Sequence, residues 1–118
     1  MPGPISETLT HVVDQLTAGG ITATTDPRDL NLTGVWVTLT RIASARFAGG
    51  IVTLDVGLTA IAADSGAAGT LSDLDELVLA LDAIYPHQTW EPRSVVVASQ
   101  SPTHLPALHT TITLEWSN

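Results

Sequence analysis

Four histidines, His11, His87, His104 and His109, are the residues best suited to bind a metal or move a proton. A zinc site needs imidazoles brought together at close spacing on one face. His104 and His109 are five apart with Pro106 between them, and an ideal strand points such residues to opposite sides. All four therefore read as exposed or half-buried imidazoles. Asp73, Asp75 and Glu76 form an acidic cluster that could serve general acid–base chemistry. They follow Ser72, however, and read more simply as the first turn of a helix, where the dipole favours anions. No serine lies in a Gly-x-Ser-x-Gly elbow, and no phosphate loop or dinucleotide fingerprint occurs. There is no cysteine, which excludes a thiolate nucleophile, thiolate metal ligands and disulfides. The expectation is a chain that is not an enzyme and carries no metal or cofactor.

Three tryptophans supply most of the aromatic content: Trp36, Trp90 and Trp116. Core packing explains each of them. Trp36 alternates away from the apolar positions Val35, Val37 and Leu39, so it is also a candidate for packing under a helix or at an edge where a partner docks.

The elements that must position these residues follow from periodicity. The length of 118 residues suits one domain with one modest core. Residues 6–18 read as a helix: Ser6 as cap, a stripe of Leu9, Val12, Val13 and Leu16, and a stop at Gly19-Gly20. A short strand is expected at 21–24, turn formers over 26–31, and a strand over 35–42. Residues 51–63 alternate most clearly, with Val52, Leu54, Val56, Leu58 and Ala60 on one face. Thr53, Asp55, Gly57 and Thr59 lie on the other, which is wet or covered by something polar. The spacing of Leu74, Leu77, Val78, Leu81 and Ile84 predicts a helix over about 72–84, stopped by Pro86. Strands are expected at 94–98 and 108–116, with Ser101-Pro102 and Pro106 bracketing a turn. The order α-β-β-β-α-β-β predicts an α+β fold, a mixed, mostly antiparallel sheet with two helices on one face.

Formal net charge is −8, from 12 acids against four arginines and no lysine. Such a chain has little electrostatic grip on nucleic-acid phosphates or on anionic membranes. Apolar stretches are broken well short of the ~20 residues that span a bilayer, and the first residues lack an export signal's basic and apolar regions. The chain reads as soluble.

The block Asp26-Pro27-Arg28-Asp29-Leu30-Asn31, followed by Gly34-Val35-Trp36-Val37, resembles the tail terminator proteins of long-tailed phages that infect actinobacteria. The length, the first helix ending in Gly-Gly, the late Pro92-Arg93-Ser94-Val95-Val96-Val97 strand and the element order fit as well. The resemblance spans nearly the whole chain, and its distinctive part is the first block. It implies the lambda-type tail terminator fold and a homo-oligomeric, hexameric ring on the last ring of the tail tube. Such a ring stops tube polymerisation and offers a surface to a head-completion or neck protein. It implies a place at the head-proximal end of the virion tail, reached from the host cytoplasm during assembly, with no membrane involved.

Within that expectation, Asp26, Arg28, Asp29, Trp36 and Arg46 are candidate subunit-interface residues, and Arg28 has an acid of a neighbour or of its own chain to pair with. Asp64, Asp73, Asp75 and Glu76 are candidate acids lining a channel through which DNA passes without specific binding. The 51–63 strand and its flanking loops are a candidate for pairing between subunits. Alternative readings are another head–tail connector, such as a head-completion protein, and a non-viral binding module.

Overall fold

The computed structural model describes residues 3–63, 66–95 and 104–117. The first helix, α1 (Pro4–Ala18), begins two residues before Ser6, with Gly3 at the cap position and Pro4 just inside the helix. Glu7 lies in its first turn. Val12 and Leu16 are fully buried, while Leu9 and Val13 pack partly buried beside them, as the stripe requires. The helix ends as expected: Gly19 N–H donates back to the Gln15 and Leu16 carbonyls, and Gly20 adopts φ +82.

Five strands follow in one sheet: β1 (Ala23–Thr24), β2 (Gly34–Arg46), β3 (Ile51–Ile61), β4 (Glu91–Val95) and β5 (Leu105–Ser117). Their spatial order is β1-β2-β3-β5-β4. Only the β1–β2 pair is parallel. The second helix, α2 (Ala67–Ile84), lies between β3 and β4 in sequence. The fold is α+β with the expected element order.

Both helices pack against one face of the sheet, where Val12, Leu16, Val35, Val37, Val56 and Leu58 join Leu74, Leu77 and Leu81 of α2 in the main core. A second cluster, Leu30, Ile61, Leu105 and Ala107, lies at one end of the sheet, with Leu32, Trp36 and Val95 packed against it.

Four boundaries depart from expectation by three residues or more. α2 starts at Ala67, five residues early, because alanines favour helix and buried Thr70 donates its N–H to the Gly66 carbonyl. β2 runs to Arg46 rather than residue 42. Register shifts between Leu39 and Arg41 and between Ile42 and Ser44 break the alternation that would have marked its second half. β4 begins three residues early, at Glu91, and residues 96–98 lie outside the described residues. Pro106 lies within β5, while Ser101-Pro102, the other bracket of the expected turn, lie outside the described residues. The β3–β5 ladder ends at Ala107, so the missing Pro106 N–H removes no bond to β3.

The polar side of β3 is not wet. Asp55, Gly57 and Thr59 are buried, because β3 is the central strand and side chains from β2 and β5 close over it. A Cβ on Gly57 would stand 2.7 Å from Thr38 Oγ1, 2.8 Å from Thr40 Oγ1 and 3.0 Å from His109 Cε1.

Candidate functional site

The Asp26–Asn31 block is a self-contained turn. Pro27–Asp29 form one turn of 3-10 helix, closed by the Asp29 N–H on the Asp26 carbonyl at 3.0 Å. The Asp26 carboxylate accepts from the Arg28 backbone N–H at 2.9 Å, from Nε at 3.2 Å and from Nη2 at 2.9 Å. The hydrogen bonds and charge of Arg28 hold the Asp26 carboxyl below the usual carboxylate range. Arg28 thus pairs with an acid of its own chain. Asp29 is exposed beside it, and Leu30 is fully buried, anchoring the turn in the second cluster.

Trp36 sits on the helix-free face, half-buried, and its indole N–H donates to the Thr25 carbonyl at 3.3 Å. It roofs its own loop instead of packing under a helix. Arg46 ends β2, exposed, directly opposite Ile51 in the ladder. Of the acids, Asp64 lies outside the described residues. Asp73, Asp75 and Glu76 are on α2 but not in its first turn, which holds no acid, so the helix dipole does not explain them. Asp73 and Glu76 line one side of an open groove of about 470 Å³ whose other walls include Thr22, Leu32 and Thr33. Asp75 lies on the opposite flank of the helix.

The 51–63 strand cannot pair between subunits. β2 occupies one of its edges and β5 the other, from Ile51 to Ile61.

Two polar arrangements on the helix-free face escaped the sequence reading. Asp55, 7% exposed, accepts from Arg41 Nε at 2.9 Å and from Thr113 Oγ1 at 2.8 Å, a row across β2, β3 and β5. Those two partners, Thr113 first, hold its carboxyl below the ordinary value. The signal was an acid in the middle of the most regular strand. Its partners could not be found, because the β2 bulge displaces Arg41 from simple alternation. Two rows along, beyond Gly57, Thr59 Oγ1 and His109 Nδ1 are 2.9 Å apart, with Glu91 opposite His109 in the β4–β5 ladder. Burial first, then the Arg93 cation, pushes the His109 imidazole down, so it is neutral at pH 7. A neutral imidazole beside a hydroxyl is the start of a nucleophile pair. Here Thr59 is only 6% exposed, closed in by its neighbours. The pair joins β3 to β5.

The charges divide by layer. The two helices carry Glu7, Asp14, Asp73, Asp75, Glu76 and Asp82 and no Arg or Lys. Ladder register places Arg41, Arg46 and Arg93 on the opposite face, balanced there by Asp55, Glu91 and Glu115. Among the described residues no group of three His, Cys, Asp or Glu side chains is placed to hold a metal, and no helix is long and apolar enough to cross a membrane. No protein-family model, curated protein or solved structure matches this chain.

Proposed function

We propose that this chain is a structural ring component of a phage tail, a tail terminator that caps the head-proximal end of the tube and offers a surface for head attachment. The observation that carries the reading is the division of charge: an acidic helix layer without a cation, and an opposite face whose charges balance. A subunit with two unlike faces is suited to assembly with copies of itself. A channel bordered by the helix layer would repel DNA phosphates and let the duplex pass. The resemblance of the Asp26–Asn31 block and the Val35-Trp36-Val37 strand supplies the specific role, and the rigid turn they build is a surface that a neighbouring ring or subunit can read.

Of the acids, Asp73 and Glu76, on the grooved flank of α2, are the channel residues in this reading. The tail tube protein and a head-completion protein are the partners, and the ring has six subunits.

Negative-stain microscopy of particles made without this chain tests the reading. Tails of uncontrolled length are the expected result. Tails of normal length that fail to join heads would instead make the chain a neck component, and absence of the chain from virions would overturn both.

A further inference from the structure

α2 carries leucines on the side it turns away from the core. Leu71 is 60% exposed and Leu79 72%. With Asp75 and Asp82 they fall at i, i+4, i+8 and i+11, which places all four along one side of the helix. Leu74, Leu77 and Leu81 face the core, so this helix is apolar on two sides, and a surface helix needs only one. The outer side combines two large apolar side chains with two carboxylates and no cation.

The complementary surface is on the helix-free face of the sheet. Among the described residues only two more large apolar side chains are exposed to a similar degree, Ile5 and Ile51. Ile51, 42% exposed, lies directly across the ladder from Arg46, so the two side chains share the helix-free face. Arg28 is paired with Asp26 and Arg41 with Asp55. Arg46 and Arg93 form no ion pair among the described residues; Arg93 faces the buried Ala107 across its ladder, whereas Arg46 faces the exposed Ile51.

We propose that a second copy of this chain occupies the outer side of α2, its Ile51 packing between Leu71 and Leu79 and its Arg46 meeting Asp75 and Asp82. The two patches lie on opposite faces of one subunit, so the contact is head-to-tail. Each copy then keeps one unused patch, and the array must close into a ring or grow as a filament. The assignment rests on the ring reading only for closure; the contact itself stands on the two patches. It also removes Asp75 from the channel set and leaves Asp73 and Glu76 in it.

Sedimentation velocity on the full chain over a concentration series, with negative-stain images of the same samples, tests this. The variants are Arg46→Asp and the double variant Asp75→Arg/Asp82→Arg. All three positions are exposed, and thermal melts verify that both variants fold. Each variant alone should weaken association by at least about tenfold, because like charges then face each other. Mixed together they should associate again, since each presents the charge the other lacks. Leu79→Ser should weaken association while shifting the melt far less than the core variant Leu81→Ala does. If the unaltered chain forms rings and the charge variants form them equally well, the contact is wrong and the ring reading survives. If the unaltered chain forms open filaments that both variants abolish and their mixture restores, the contact stands and the ring reading falls. A chain that stays monomeric throughout, or associates only with a different protein, overturns the contact.

Discussion

At the scale of single residues, the helix-free face is held by polar side chains with little room to move. Gly57 is required there by space, since a methyl group would press on Thr38, Thr40 and His109 at 3.0 Å or less. Two of those neighbours are β-branched and stiff at χ1. Gly57→Ala should therefore destabilise the fold by about 1–3 kcal/mol, measured by urea unfolding. Tyr85 gives the opposite case. Its hydroxyl is buried without a hydrogen-bond partner among the described residues, and burial pushes the phenol pKa up. Tyr85→Phe removes an unsatisfied group and should raise stability by about 1 kcal/mol in the same measurement. His109 sets a pH dependence. Its folded pKa is depressed, so the unfolded chain takes up the proton first as pH falls. This contribution to stability is present above about pH 6.5, declines as pH falls through that value toward the lower folded pKa, and then levels off. His109→Gln should flatten that part of the stability profile. Asp55 adds a second, more acidic step: its stabilisation is present above the ordinary Asp value and is lost as pH falls through the lowered one.

At the scale of elements, α2 separates what holds the subunit from what it offers outside. Leu81 is fully buried in the main core, and Leu81→Ala should cost about 2–5 kcal/mol. Leu79, two positions earlier and mostly exposed, should cost no more than about 0.5 kcal/mol as Leu79→Ala. Paired thermal melts of the two variants check the contrast. The same helix shows what the sequence made legible. The stripe Leu74, Leu77, Leu81 was plain because burial repeats every three to four residues. The start was not, because Ala67-Ala68-Gly69 carries no stripe and reads as a loop until its turn is seen packed around Thr70. β3 was legible along its length and β2 only to Ile42, since bulges erase alternation without ending a strand. The rigid turn at Asp26 could be read from local residue types, because its bonds span two or three positions. The Arg41–Asp55–Thr113 row could not: it depends on strand order and register, which no single segment encodes.

At the scale of the whole molecule, the net charge of −8 and its concentration on the helices bear on what could pass through the proposed ring. Asp73 and Glu76 sit together on one flank of α2, about a turn apart and away from the Leu79 side. Reversing both, Asp73→Lys with Glu76→Lys, changes the local charge by four per subunit, and in the proposed channel every copy would repeat that change. Lysines there would hold DNA by phosphate contacts that release counterions and weaken steeply with salt. Particles carrying the double variant should assemble with tails of normal length, since neither residue belongs to the proposed subunit contact. They should eject DNA at least about threefold more slowly at low ionic strength and recover as salt is raised, followed by dye uptake into released DNA. Ejection at the unaltered rate at every salt concentration would place these acids away from the channel. The helix layer would then face outward, and the channel wall would have to be sought on the balanced face that carries Arg41 and Arg93.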